Sequence, residues 1–385
     1  MSKGVAVLGS TGSIGRQALE VIRAFPDRLR AVALASRGKD PALLRQQAVE
    51  FRPKLVAVAD PQTAAALKTE LPPGTEVVWG EEGLAACCSL AEVSLVLNAV
   101  GGVEGLAASR AAVHAGRHLA LANKESLVVA GALLLREAEA RGVCLLPVDS
   151  EHAALHQCLA GRSRPVARLI LTASGGPFRD WPVERLPQVT PEMALRHPTW
   201  RMGPKITVDS ATLANKALEV IEAHWLFGVP YSQIEVILHP QSLVHSLVAF
   251  ADGNLLAQLG PPDMRLPIQY ALSYPESWPS PFGAWNWEGI PPLTFETPDQ
   301  DRFPCLRLGY WAGRQGGTYP AVLAGADESA VELFLAGIIG FEEIPRLIEE
   351  ALTCHRPVAE PTWEEVKEAV AWARRWVKER KGGRW

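Results

Sequence analysis

The sequence predicts an α/β protein with a parallel sheet in its N-terminal part, a mixed α+β centre and a helical C-terminal part. Three observations predict it. Short apolar runs alternate with helical patterns as far as Val148, as in strands buried on both faces of a parallel sheet. The runs 234–238, 243–250 and 254–259 follow one another without helices and suggest an antiparallel sheet. From Ala321 onward the patterns are helical, at 326–335, 341–351 and 362–381. At 385 residues the chain exceeds one small core, so two or three domains are expected.

Composition narrows the function classes. The chain is 48% hydrophobic and 21% charged, an ordinary globular balance. A net charge of −4 argues against a non-specific nucleic-acid partner. The basic stretch from Arg374 to Lys381 is explained as cations ending a helix. The six cysteines form no C-x-x-C pair, so reduced thiols in the cytoplasm fit best. A strand begins by about residue 4, so no signal or transit peptide is expected. No apolar run is long enough for a bilayer, so no membrane partner is expected.

Val5–Leu8 reads as the first strand and ends in Gly9-Ser-Thr-Gly12-Ser-Ile-Gly15, with a helix from about Ser13 to Ala24. Strand, glycine turn and helix in this order are a dinucleotide-binding arrangement, here in the variant G-x-x-G-x-x-G. Further strands are read at 29–34, 55–59, 95–98, 118–122 and 143–148, with helices at 102–115 and 125–141. Ser36, Arg37 and Lys39 stand where an NAD site wants an acidic residue, which favours NADP. Asp40 is the discordant charge there.

Asn123-Lys124-Glu125-Ser126 ends a strand on the side where open parallel sheets bind ligands. Asp149-Ser150-Glu151 follows the last strand of this part. In an extended segment its two carboxylates point one way and suit a hard divalent cation. His152 and His156 read as packing residues. After a strand at 169–172, Ser174-Gly-Gly-Pro-Phe178 offers a phosphate nest. The proline-rich stretch 179–204 reads as a lid, with Trp200 and Met202 placed to cover a ligand.

Ile206–Val208 reads as a strand, Ser210 as an N-cap and Ala211–Glu222 as a helix. Asn215, Lys216 and Glu219 then adjoin on that helix. The stretch 261–304, rich in Pro and Trp, reads as a linker.

Taken together, these motifs resemble the 1-deoxy-D-xylulose 5-phosphate reductoisomerase family. The residues that carry the likeness are Gly9–Gly15, Asn123–Ser126, Asp149–Glu151, Ser174–Phe178, His197-Pro-Thr-Trp200-x-Met-Gly203 and Asp209-Ser-Ala-Thr-x-x-Asn-Lys-x-x-Glu219. The resemblance implies a Rossmann-like NADPH domain (1–148) and a central catalytic domain (149–273) with a flap at about 174–204. A linker (274–299) and a C-terminal helical domain (300–385) complete the implied order.

It further implies a sugar-phosphate substrate, a homodimer, NADPH and a divalent cation (Mg2+, Mn2+ or Co2+). By resemblance Asp149, Glu151 and Glu219 hold the metal, and Lys124 and Ser150 contact the sugar. Ser174, His197, Ser210, Asn215 and Lys216 take the phosphate, and Trp200 closes over the substrate. Thr11, Gly12, Ser13 and Ile14 sit on the pyrophosphate, and Gly38, Lys39 and Asp40 by the adenosine. Asn123, Glu125 and Gly203 complete the cofactor site. Ala324-Gly-Ala-Asp-Glu328 departs from the family's more usual Asn-Ala-Ala-Asn-Glu.

The family's reaction rearranges a ketose phosphate to a branched aldehyde and reduces it, which gives three carboxylates a purpose through a Lewis-acid cation. A metal-free NADP-dependent dehydrogenase explains the N-terminal half but leaves those carboxylates unrelated. A non-catalytic NADP sensor explains only the glycine turn.

Overall fold

The computed structural model describes residues 2–161, 163–200, 202–283 and 285–381. Seven strands come first: β1 (Lys3–Leu8), β2 (Leu29–Ala35), β3 (Leu55–Val58), β4 (Glu76–Trp79), β5 (Leu95–Asn98), β6 (His118–Leu121) and β7 (Leu145–Pro147). Their helices are α1 (Ser13–Ala24), α2 (Pro41–Phe51), α3 (Pro61–Lys68), α4 (Gly80–Ser89), α5 (Gly105–His114), α6 (Lys124–Ala140) and α7 (Ser150–Leu159). Then follow β8 (Val166–Ala173), α8 (Pro191–Ala194), α9 (Pro204–Thr212), α10 (Ala214–Phe227), β9 (Ile234–Leu238), β10 (Val244–Phe250) and β11 (Leu255–Leu259). The chain ends in α11 (Arg265–Ser273), α12 (Cys305–Gln315), α13 (Tyr319–Leu335), α14 (Glu343–Cys354) and α15 (Trp363–Arg380).

Two compact units result. One holds Met1–Ser126, Leu134–Ala153 and Asp263–Ala284; the other holds Leu127–Leu133, Ala154–Pro262 and Trp285–Trp385. In the first, β1–β7 form one sheet in the order β4-β3-β2-β1-β5-β6-β7. Every neighbouring pair is parallel. The chain order reverses between β1 and β5, which opens a crevice at the C-terminal strand ends. β4 was not read from the sequence, because its apolar run is only Val77-Val78-Trp79 and its residues are at most partly buried at the sheet edge.

α11 is a correction to the expected linker. Its Ile268, Ala271 and Leu272 are buried in the same core as Val5, Val7 and Leu97 of the parallel sheet. Pro267 and the surrounding prolines mask its helical period in the sequence, and burial against that core supplies what propensity lacks.

The second unit carries a four-stranded sheet, β11-β10-β8-β9. It is mixed, and the antiparallel expectation is corrected at one pair. β10 runs antiparallel to β8 and β11, whereas β8 and β9 are parallel. The crossover between β8 and β9 contains the whole proline-rich stretch with α9 and α10. Gly131, counted with this unit, has no room for a side chain: a Cβ there would lie 2.4 Å from the Trp225 ring. α13 is buried along most of its length beneath the other C-terminal helices.

The expected strand at Ile206–Val208 is helix α9. Pro204 occupies the first turn after the N-cap Gly203, where its missing N–H costs nothing. Thr207 returns its hydroxyl to the Gly203 carbonyl at 2.8 Å. Burial of Val208, Asp209 and Ala211 outweighs the β preference of the branched residues. Ser210 therefore lies in the last turn of α9 and is no N-cap. The break falls at Leu213, whose left-handed backbone (φ 61°) separates α9 from α10.

Candidate active site

The glycine turn after β1 is a cradle that side chains would fill. Gly9 has φ +88° and a Cβ there would strike the Ala99 carbonyl at 2.4 Å. A Cβ on Gly15 would strike the Gly9 carbonyl at 2.2 Å, so α1 can approach β1 this closely only without one. Gly12 is the N-cap of α1 and supplies no side-chain cap, which leaves the helix N-terminus at Ser13 and Ile14 open to an anion. Thr11 Oγ1 meets Ser36 Oγ at 2.8 Å, and Ser36 Oγ accepts the Gly38 N–H at 3.2 Å. The ends of β1 and β2 are thus joined. Lys39 is exposed beside them. The charge of Asp40 is accounted for: it caps α2, accepting the Leu43 N–H at 3.0 Å.

At the end of β6, Asn123 caps α6 and Lys124 opens it. Lys124 is buried, and its ammonium is ion-paired with Asp149. Asp149 does not lie on an extended segment with Glu151, as the even spacing suggested. α7 starts at Ser150, and Glu151 lies in its first turn. The Ser150 N–H donates to Asp149 Oδ1 at 3.1 Å, and its hydroxyl donates to Glu151 Oε2 at 2.5 Å. His152, read as packing, is fully buried. It also brings a ring nitrogen within 4.8 Å of an Asp149 carboxylate oxygen. The i, i+3 relation across a helix start is the signal that could have found it.

In the second unit three predicted residues converge. His197 Nε2 lies 3.0 Å from Ser174 Oγ and 3.1 Å from Ser210 Oγ. Its Nδ1 accepts the backbone N–H groups of Thr199 at 3.1 Å and Trp200 at 2.8 Å. Backbone N–H groups only donate, so the neutral ring carries its proton on Nε2. Burial pushes the imidazole pKa down to about 4. Gly176 (φ +69°) lets the Ser174 loop touch α9, since a Cβ there would lie 2.8 Å from the Ser210 carbonyl. The Trp200 ring sits 6.3 Å from that of His245.

Asn215, Lys216 and Glu219 form a second cluster on α10. Glu219 is fully buried, accepts Asn215 Nδ2 at 2.5 Å and is ion-paired with Lys216. Gly203 stands exposed ahead of α9. In both units a buried or half-buried carboxylate faces a lysine ammonium, and all the predicted metal ligands are hard oxygen donors. That donor chemistry fits Mg2+ or a similar cation.

Three family models match along the chain: 1-deoxy-D-xylulose 5-phosphate reductoisomerase over residues 5–131, its C-terminal domain over 145–227, and the DXP reductoisomerase C-terminal domain over 259–376. The chain belongs to the 1-deoxy-D-xylulose 5-phosphate reductoisomerase family.

Among curated members of that family, the Heliobacterium modesticaldum reductoisomerase is 53% identical over 99% of this chain and 98% of its own. The Geobacillus kaustophilus reductoisomerase is 53% identical over 98% and 99%. The solved reductoisomerase from Zymomonas mobilis, described in complex with NADPH, superposes with a TM-score of 0.93 at 38% identity, covering all of both chains. A second reductoisomerase, described in complex with NADPH, fosmidomycin and magnesium, superposes with a TM-score of 0.93 at 37% identity over 99% of this chain and 100% of its own.

One further cluster in this reductoisomerase fold escaped the sequence reading. Lys205 Nζ lies 2.6 Å from both Asp209 Oδ2 and Asp327 Oδ2, joining α9 to α13. Asp327 lies in the Ala324–Glu328 stretch noted above as a departure from the resemblance.

Proposed function

We propose that the chain rearranges and reduces 1-deoxy-D-xylulose 5-phosphate to 2-C-methyl-D-erythritol 4-phosphate in non-mevalonate isoprenoid biosynthesis. It uses NADPH and a divalent cation (Mg2+, Mn2+ or Co2+), and works as a homodimer in the cytoplasm. Residues 1–148 serve the nucleotide, 149–273 the chemistry with the flap at about 174–204, 274–299 the link and 300–385 the frame. No helix among the described residues is long and apolar enough to cross a membrane.

The observation that carries this reading is the ion pair of buried Lys124 with half-buried Asp149 at the C-terminal ends of the parallel strands. A dehydrogenase of simple alcohols has no use for it, nor for the buried Lys216–Glu219 pair of the second unit. The related reductoisomerase solved in complex with NADPH, fosmidomycin and magnesium supports the same two cofactors.

The roles then follow from the groups. The open N-terminus of α1 takes the pyrophosphate, with Thr11, Gly12, Ser13 and Ile14 around it. Gly38, Lys39 and Asp40 flank the adenosine, and Asn123, Glu125 and Gly203 orient the nicotinamide side. Ser174, Ser210 and the Nε2–H of His197 donate to the substrate phosphate, joined by Asn215 and Lys216. Trp200 closes over the sugar and excludes water from the aldehyde. Lys124 and Ser150 contact the reacting oxygens, where an ammonium stabilises developing negative charge or moves a proton. Asp149, Glu151 and Glu219 would hold the cation. When bound, the cation supplies Lewis-acid stabilisation and NADPH supplies the hydride.

The test is NADPH oxidation with 1-deoxy-D-xylulose 5-phosphate, before and after chelation with EDTA and again with Mg2+ or Mn2+ restored. Oxidation that stops on chelation and returns with metal is expected. Oxidation indifferent to chelation would instead favour a metal-free NADP-dependent dehydrogenase.

A further inference from the structure

Behind the Asn123 cap lies a chain of buried polar side chains that the functional reading does not use. Asn98, Ser109 and Ser126 are all fully buried, and Asn123 is 2% exposed. Such groups are costly to bury unless each is satisfied, and here each is.

The chain has a direction, set by backbone groups at both ends. The Val100 N–H donates to Asn98 Oδ1 at 3.1 Å, so this oxygen is the acceptor and Asn98 Nδ2 faces the other way. Nδ2 donates to the Gly105 carbonyl and to Ser109 Oγ, both at 2.8 Å. Ser109 therefore turns its own proton to Ser126 Oγ, 2.9 Å away. Ser126 in turn donates its hydroxyl to Asn123 Oδ1, which also accepts the Ser126 N–H at 3.2 Å. At the far end Asn123 Nδ2 must face acceptors, and it does: the Gly102 carbonyl at 2.7 Å and Glu125 Oε2 at 2.9 Å. Every proton runs from the end of β5 through α5 to the start of α6.

We infer that Ser109 and Ser126 are positioning residues for the nicotinamide end of NADPH. They act through a polarised hydrogen-bond relay that holds the Asn123 amide with its nitrogen toward Glu125. This rests on the placement of Asn123 and Glu125 in the cofactor site under the proposed function. Together with the Ser126 N–H and the Gly102 carbonyl, the relay holds the face of the Asn123 amide that donates, and with it the orientation of the carboxylate of Glu125. It also ties β5, beside the crevice, to the helix that carries Lys124. Successive hydrogen bonds polarise one another in this dry setting, so the links act as a unit.

The experiment compares Ser109→Ala, Ser126→Ala and the double variant with the wild-type chain. NADPH affinity is read by tryptophan-to-nicotinamide energy transfer, and the KM for the sugar phosphate by turnover. Each single variant is expected to weaken NADPH about 3–10-fold, the worth of a buried hydrogen bond. The double variant is expected to lose no more than Ser126→Ala alone, because both act through one amide. The sugar-phosphate KM should stay within about twofold, since its phosphate groups lie elsewhere; general loosening of the fold would move both constants. Wild-type NADPH affinity in Ser126→Ala overturns the relay while leaving the functional reading intact. Losses that multiply in the double variant, or a sugar-phosphate KM rising in step, overturn it too. Should Ser126→Ala not fold, Ser109→Ala keeps the test, since it leaves the Asn123 cap on the Ser126 N–H in place. A wild-type chain that binds no NADPH at all would sink the functional reading itself.

Discussion

The backbone N–H of Trp200 donates to Nδ1 of His197 at 2.8 Å, while Nε2 of the same ring faces Ser174 and Ser210. One imidazole thus joins the residue proposed to close over the substrate to the hydroxyls proposed to hold its phosphate. The link works only with a neutral ring, because a proton on Nδ1 would oppose two N–H donors. Burial holds the folded pKa at about 4, below the ordinary 6.5. The unfolded chain therefore binds this proton first as pH falls. The stability gained is fully present above pH 6.5 and is lost as pH drops towards 4. Thermal unfolding followed from pH 7 to pH 4 (about the span of that window) should show a shallower decline in His197→Gln than in wild type. Equal slopes would mean that other groups govern acid stability.

Lys124→Met should lower kcat by about 10²-fold or more, as expected for a positioned proton-transfer or charge-stabilising group. NADPH affinity should change little. The measurement is steady-state turnover alongside direct NADPH binding. Normal turnover would remove Lys124 from the chemistry. Methionine also leaves Asp149 without its ammonium, so a thermal melt belongs beside the kinetics.

Gly15→Ala tests the cradle. A Cβ at this position would meet the Gly9 carbonyl at 2.2 Å and the Ser10 Cα at 2.6 Å, both of them backbone. α1 must then move off β1 and carry its N-terminus away from the place proposed for the pyrophosphate. Overpacking of this kind costs about 1–3 kcal/mol. NADPH titration of the variant should show weakened binding, and unchanged affinity would argue that the turn does not hold the dinucleotide.

Lys205 is shared by Asp209 and Asp327, whose side chains are each 2% exposed. Lys205→Met would leave two buried carboxylates without their cation and should cost about 3 kcal/mol, the lower end for a broken buried pair because Lys205 itself is partly exposed. Asp327→Asn leaves Asp209 its partner and should fall within about 1 kcal/mol of wild type. Denaturant melts of the two variants decide this. A large loss in Asp327→Asn with none in Lys205→Met would reverse the assignment.

Parts of the candidate site were legible because its residues sit in short motifs at strand and helix ends. Ser174, His197 and Ser210, grouped at the phosphate by the resemblance, do converge, although Ser210 was assigned to the wrong element. Asp149 and Glu151 were read on one extended segment, whereas α7 begins between them at Ser150, because the spacing alone does not show where a helix starts. His152 was read as a packing residue and is fully buried, but its place beside Asp149 was not foreseen, since that depends on where α7 starts.

By itself the sequence determined the parallel sheet, its glycine cradle and the ends of α1 and β5, because each of those elements carries its own period and its own punctuation. The tertiary structure decided the rest. It made Ile206–Val208 a helix, paired β9 parallel to β8, and set α11 into the first unit's core. Local periodicity reports how one segment is buried, but not against what. Strand pairing and the helicity of a short, proline-marked or β-branched segment depend on surfaces supplied by residues far away in the chain. Their burial free energy outweighs the few tenths of a kcal/mol per residue that local propensity contributes.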